Sequence, residues 1–184
     1  HQVVQLVRRS GASLATDEIA WDPESDQLDG AALAGAGAVV NLCGAGIASG
    51  RWTLRRKVIL RESRTRPTGL LARTIAGLRD KPGVFVSASA VGIYGAGGEN
   101  AGAFDEDSAP GSDFLAGIAV AWEEAARPAA LAGVRVVHPR FGNVLAVEGG
   151  MLGKLLLPFR LGPGGPIGTG RQWMSWIAMD DALA

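Results

Sequence analysis

The chain has 184 residues, with 18 Lys plus Arg against 18 Asp plus Glu, 47% hydrophobic and 20% charged residues, enough for one domain with its own core. Balanced charge gives no global case for nucleic acid or an acidic membrane surface, and no apolar run approaches the ~20 residues of a membrane span. One cysteine and two histidines exclude an internal disulfide and argue against a structural metal site; the expected setting is reducing and cytoplasmic.

Residues 3–7 form a short apolar strand that starts at the chain end, and 19–22 a second one. Residues 28–37, small and Ala-rich, read as a short helix. The run 38–43 (AVVNLC) is apolar, β-branched and bounded by glycines, the pattern of a buried strand. Residues 52–78 read as helical, with a break or kink at Pro67 and Thr68 capping the second half. The next buried strand is 84–89 (VFVSAS). A helix follows over 112–132, with Ser112 as N-cap and Gly133 just past its end. Residues 134–139 form another strand, 151–161 an amphipathic helix, 161–170 a Gly/Pro-rich loop, and 180–184 the start of a helix. Buried strands alternating with helices indicate a parallel sheet with helices on both faces.

The segment Gly44-Ala45-Gly46-Ile47-Ala48-Ser49 follows a strand and precedes a helix, one residue short of the G-x-G-x-x-G/A fingerprint. That fingerprint also asks for an acid about 20 residues on, closing the next strand. The nearest acid, Glu62, falls inside the helix, and that helix is too long for a compact ~30-residue βαβ unit. The segment reads instead as a later β–α loop passing close to a ligand, where glycine lets backbone approach.

The succession Val40-Asn-Leu-Cys-Gly44, Arg51-Trp-Thr53, Ser63-Arg64, Ser87-Ala-Ser-Ala-Val-Gly-Ile-Tyr-Gly95, Trp122-Glu-Glu-Ala125, Arg140-Phe-Gly142, Gly149-Gly150, Lys154, Pro158-Phe-Arg160, Gly164-Gly165 and Trp176-Ile177 with Asp180-Asp181 resembles one branch of the extended or atypical short-chain dehydrogenase/reductases, the epimerase family proteins (NAD-dependent epimerase/dehydratase-like). The likeness runs the length of the chain. It implies a Rossmann-like doubly wound parallel sheet, truncated at both ends: a first strand with its G-x-x-G-x-x-G loop and helix is expected upstream, and more of the substrate region downstream. Residues 1–184 are then one cofactor-binding domain fragment, with 143–184 beginning the substrate side.

Within that frame Arg8 and Arg9, at the end of the first strand, face the adenosine ribose. Two arginines and no acid favour NADP over NAD, since an Arg there accommodates a 2′-phosphate; the plainer reading is a pair of solvated charges. Asn41, Leu42, Cys43 and Gly44 end the next strand and are expected to run along the cofactor, because ligands sit outside the carboxyl ends of strands. Cys43 reads as a small buried hydrophobe with no neighbouring cation in the sequence to activate it. Ser87 is assigned to the cofactor. Ser89 is the better match for the serine that bonds a reacting oxygen in similar enzymes, against the plainer reading of a loop-capping serine. Arg140 is expected on the nicotinamide or substrate-anion side, or in an ordinary ion pair. Tyr94 is expected to pack and shape the pocket, Trp122 to anchor the core, and Lys154, Arg160, Gly164, Gly165 and Arg171 to border the substrate cleft. The basic run Arg51, Arg55, Arg56, Lys57, Arg61, Arg64, Arg66 reads as a solvated helix face rather than a nucleic-acid surface.

The Tyr-x-x-x-Lys pair of the superfamily would fall at Leu115 and Ala119, so its proton-transfer machinery is absent. Two readings follow: an NADP-binding oxidoreductase or epimerase acting on a small molecule, or an NADP-binding sensor or scaffold without catalysis. No metal, nucleic-acid or membrane partner is expected, and self-association into a homo-oligomer stays open.

Overall fold

The computed structural model describes residues 2–8, 14–96, 102–166 and 168–184. The elements run β1 (Gln5–Val7), β2 (Glu18–Ala20), β3 (Ala38–Asn41), α1 (Leu54–Gly77), β4 (Val84–Ser87), β5 (Ser89–Ala90), α2 (Phe114–Glu124), α3 (Arg127–Leu131), β6 (Arg135–Val137), β7 (Arg140–Phe141), β8 (Asn143–Leu145), α4 (Gly150–Arg160), β9 (Trp176–Ala178) and α5 (Met179–Leu183), with tight helical turns at Gly30–Leu33 and Val91–Tyr94. The chain divides into two compact units, His1–Ala88 with Ala121–His138, and Ser89–Val120 with Pro139–Ala184.

Among the described residues every strand ladder is parallel, as buried runs joined by crossovers require. In the first unit β1 pairs with β2, and β3, β4 and β6 form a sheet in the order β3–β4–β6. In the second unit β5 pairs with β7 and β8 with β9. The first unit's core joins Val39 and Phe85 of the sheet to Leu70, Leu71, Ala72 and Ile75 of α1, Ala129 of α3, and Trp21, Leu33, Ala126 and Val134. One expectation changes here: β3 is not buried on both faces but alternates, with Val39 and Asn41 inside and Ala38 and Val40 exposed. Among the described residues the core cluster covers only one face of that strand.

Five local readings also change. Helix α1 runs unbroken through Pro67. Proline removes one helical hydrogen bond, at about 3 kcal/mol in an exposed interior, but Pro67 is fully buried beside Leu60, Leu71 and Ile75 in the same helix, and packing holds the helix together. Thr53 caps α1, its side chain accepting from Arg56 N, and Thr68 is no cap at all. The helix expected over 112–132 is two helices, because Pro128 cannot continue a helix but fits the first turn of a new one. Its N-cap is Asp113, whose Oδ1 accepts from Ala116 N at 2.9 Å, rather than Ser112; Gly133 does take the left-handed φ of +83° expected past the end. The strand expected over 84–89 is interrupted at Ala88, whose N–H turns to the carbonyl of Asn41. Among the described residues no helix is long and apolar enough to cross a membrane.

Buried polar groups join the sheet of the first unit to its helices. Thr68 Oγ1 accepts from Asn41 Nδ2 at 2.7 Å and from Trp122 Nε1 at 3.0 Å, and donates to the Arg64 carbonyl at 2.7 Å. Thr68→Val leaves two buried donors short of a partner, at roughly 1–3 kcal/mol for each unsatisfied group. We expect it to lower the unfolding free energy by about 2–4 kcal/mol in urea titrations, and Thr68→Ser, which keeps the hydroxyl, to cost clearly less. Asp113 supplies a pH-dependent counterpart. Its bonds from the Ala116 and Ala96 backbone N–H groups hold its carboxyl below its ordinary pKa, so its contribution is present above that value and fades as pH falls through the folded-state pKa. Asp113→Ala should cost about 1 kcal/mol at neutral pH, and the gap to the natural protein should close on acidification below about pH 4.

Candidate functional site

The carboxyl ends of β1, β3 and β4 meet in the first unit. Asn41 and Ser87 are register partners there, and both side chains turn into the protein. Asn41, 2% exposed, donates from Nδ2 to Thr68 Oγ1 and to Ser87 Oγ at 3.3 Å, while its Oδ1 accepts from Cys43 N at 3.1 Å. The Ser87 carbonyl accepts from His138 Nδ1 at 3.1 Å. Asn41 thus folds the chain directly after β3 and aims the following loop outward; Leu42 is 70% exposed at this strand end.

The loop that follows is clamped by α1. Ser63 Oγ accepts from Ala45 N at 3.0 Å, Arg64 Nη2 donates to the Ala45 carbonyl at 3.1 Å, and Arg56 Nη2 donates to the Gly46 carbonyl at 2.6 Å. The clamp is close at Gly44, where a Cβ would lie 3.1 Å from Arg64 Cζ and the guanidinium would have to give by a few tenths of an ångström. The basic run is therefore not simply a solvated face. Arg64 is 8% exposed, bonds the Leu60 carbonyl as well, and sits 5.1 Å over the Trp122 ring. Burial, and then the charge of Arg56, push its pKa below the ordinary guanidinium value.

Arg8 stands at the end of β1, exposed, and lines two adjoining cavities. One, of about 420 Å³, is bounded by Arg8, Glu24, Gly44, Ala45, Ser63 and Arg66; the other, of about 460 Å³, by Arg8, Trp21, Asp22, Glu24, Gln27 and Asp29. Arg66 is occupied by an ion pair with Glu62 at 3.1 Å. The Arg8 side chain reaches the half-buried Cys43, and its charge and hydrogen bond pull the thiol pKa down, though burial is the larger effect and the net displacement is upward. A cation therefore does stand beside Cys43, contrary to the sequence reading, but it does not activate the thiol. Arg9 lies outside the described residues.

The second unit brings Ser89 and Arg140 together as register partners of β5 and β7. Ser89 is buried, and its N–H donates to the Pro139 carbonyl at 2.9 Å. Arg140 Nη1 donates to Tyr94 Oη at 2.8 Å and to the Glu106 carbonyl at 3.0 Å. Tyr94 stacks on Phe104 with centroids 5.1 Å apart. Leu115 is half-buried and Ala119 buried on α2, apolar positions that offer no proton. Lys154 and Arg160 lie on α4, which has no buried residue.

Sequence reasoning missed Ser63, Arg64 and Thr68 as the parts that shape the loop after β3, and Phe104 as the partner of Tyr94. The Ser63-Arg64 pair was visible as a motif, but nothing local showed that it faces the strand end rather than water.

This combination, parallel βα units with a Gly-containing loop folded over the strand ends, defines a Rossmann-type α/β fold. No family model matches the chain. It is 43% identical over 183 residues to an epimerase family protein of Mycobacterium bovis, covering 100% of this chain and 59% of that protein. The crystal structure of a nucleoside-diphosphate sugar epimerase from Corynebacterium glutamicum superposes with a TM-score of 0.81 at 38% identity, covering 98% of this chain and 36% of that one. The structure of human epimerase family protein SDR39U1 with NADPH gives a TM-score of 0.81 at 34% identity over 98% of this chain and 59% of that one. The chain is similar along its whole length to the epimerase family branch of the atypical short-chain dehydrogenase/reductases, and it spans about 59% of the length of the M. bovis relative.

The Cys43 environment makes a direct prediction. The thiolate is the nucleophile, and here the neutral form is favoured up to a pH above the ordinary thiol range. Alkylation by iodoacetamide in the folded protein should be slow at neutral pH and accelerate only in alkaline buffer, and Arg8→Met, which keeps the covering side chain but not its charge, should slow it further. Rapid labelling at neutral pH would contradict this account.

Proposed function

We propose that the protein is an NADP-binding, oxidoreductase- or epimerase-like protein of the cytoplasm acting on a small-molecule substrate, with its adenosine-phosphate site at Arg8. The observation that carries this is the guanidinium at the end of β1, opening on both cavities beside the clamped Gly44-Ala45 loop. An arginine at this strand end suits a ribose 2′-phosphate, where an acid would suit the free hydroxyl. Arg66 is tied to Glu62, which leaves Arg8 as the wall residue best able to give a phosphate a charge-assisted bond. The structure of the human relative was determined with NADPH, in keeping with this preference; NAD is the weaker alternative.

When bound, the nicotinamide would supply the hydride, and the residues named here would position it. Arg8 would hold the 2′-phosphate, with Arg9 beside it in sequence. Leu42, Cys43 and Gly44 would present the wall formed by the loop after β3, with Asn41 and Ser87 fixing its course from within, and Arg140 would serve the nicotinamide or substrate side. Ser89 would bond the reacting oxygen, and residues 143–184 would begin the substrate side. With Leu115 and Ala119 in the motif positions, the proton donor must come from elsewhere in the fold.

Calorimetric titration of the intact protein tests this. NADPH should bind about 10- to 100-fold more tightly than NADH, the range expected for hydrogen bonds to a charged group, and Arg8→Ala should abolish the difference while leaving NADH affinity nearly unchanged. Failure to bind either nucleotide would refute the reading.

A further inference from the structure

The second unit holds a cavity of about 550 Å³, walled by Val91, Tyr94, Gly95, Phe104, Trp173 and Ser175, within the range of small-molecule pockets. Its walls are aromatic. The Tyr94 and Phe104 rings lie 9° from parallel, and Trp173 leaves 81% of its surface open. Among the described residues that line it there is no Asp, Glu, Lys or Arg. A diphosphate would ask for cations or helix N-termini; these walls suit a planar apolar ring that stacks.

One residue lining the cavity carries a hydroxyl with a defined capacity to spare. Tyr94 Oη accepts from Arg140 Nη1, and because a guanidinium has no acceptor, that contact leaves the hydroxyl hydrogen of Tyr94 for another oxygen. The Arg140 charge lies 5.4 Å from the Tyr94 ring centroid and is anchored by the Glu106 carbonyl. The turn carrying Tyr94 is pinned on both sides. Gly111 N donates to the Ile93 carbonyl and Asp113 Oδ2 accepts from Ala96 N. Gly111 approaches so closely that a Cβ on it would stand 2.7 Å from the Tyr94 carbonyl oxygen. Ser175 in the lining is held too, since Asn143 bonds its carbonyl through both its backbone N–H and Nδ2. The donor is thus preorganised rather than recruited.

We propose that this cavity is the substrate site and that it takes a planar aromatic compound bearing a carbonyl, the ring seated against Trp173 and Phe104 and the carbonyl oxygen receiving the hydrogen of Tyr94 Oη. The proposal rests on the reading above that the protein acts on a small-molecule substrate. It makes Tyr94, held by Arg140, the hydrogen-bond donor that Leu115 and Ala119 do not provide.

Equilibrium dialysis of the intact protein with 2-acetylnaphthalene, with 2-ethylnaphthalene (the same ring without the carbonyl) and with UDP-glucose tests it. Trp173→Ala should weaken both naphthalenes about tenfold, as loss of one stacking partner does. Tyr94→Phe should weaken the ketone about fivefold, as loss of one hydrogen bond does, and leave the hydrocarbon unchanged. NADPH affinity should be the same in both variants, which certifies their folding. Arg8→Ala should lose NADPH preference yet hold the ketone as before, so failure of the cofactor reading and failure of this one are told apart. Ketone binding indifferent to Trp173→Ala, equal loss of ketone and hydrocarbon in Tyr94→Phe, or UDP-glucose binding lost in Trp173→Ala would each overturn the proposal.

Discussion

The first unit depends on one hydroxyl group with every bonding capacity filled. Thr68 Oγ1 has two lone pairs and one hydrogen, and they go to Asn41, Trp122 and the Arg64 carbonyl. The three partners belong to β3, α2 and α1, so a single oxygen ties the sheet to two helices in a place where water cannot substitute. The consequence travels outward: Asn41, held by Thr68, receives the N–H of Cys43 and so fixes the first step of the loop after β3. The loop after β3 is thus positioned by a network buried within the protein. Buried polar groups of this kind are costly when incomplete and specific when complete.

The loop itself shows how charge is used for shape. Arg56 and Arg64 direct their guanidinium groups at the carbonyls of Gly46 and Ala45, groups that water would serve if the loop stood free. Burying Arg64 has an electrostatic cost, visible in its depressed pKa, and contact with the Trp122 face offsets part of it. The surrounding cations fall into two sets. Arg56 and Arg64 are committed to backbone, and Arg66 to Glu62. Arg8 faces the cavities, with the Cys43 sulfur beside it and the Asp22 carboxylate within reach of its charge. Counting arginines on a sequence cannot make that separation, yet it decides which of them a phosphate would meet.

Much of the architecture was legible because it is written in short range. The β-branched runs ending at Asn41 and Ser87 become adjacent parallel strands in register, and Gly133 takes its positive φ. The readings that changed are those where tertiary packing overrides local rules. Pro67 is a helix breaker by propensity and a buried helical residue in fact, whereas Pro128 does divide a helix; burial against α1's neighbours separates the two cases. The Thr68 network joins residues 27 and 54 positions apart, and the Arg140–Tyr94 contact spans 46. Neither leaves a periodicity to find. Motif likeness did locate Tyr94 and Arg140 singly, without indicating that one bonds the other.

That pairing bears on how a member of this branch can manage without Tyr-x-x-x-Lys. The motif does two things: it offers a phenol hydrogen to an oxygen, and it sets a cation beside the phenol. Leu115 and Ala119 do neither, and a Cβ on Gly92 would come within 3.9 Å of Leu115 Cβ, so the motif position packs against the turn that carries Tyr94. In the same unit Tyr94 offers the phenol and Arg140 the cation, at 2.8 Å. The substitution is not equivalent, because arginine keeps its charge throughout and presents a planar fork where lysine presents a mobile point charge. A phenol so held is better suited to orient and polarise an oxygen than to relay protons through its neighbour.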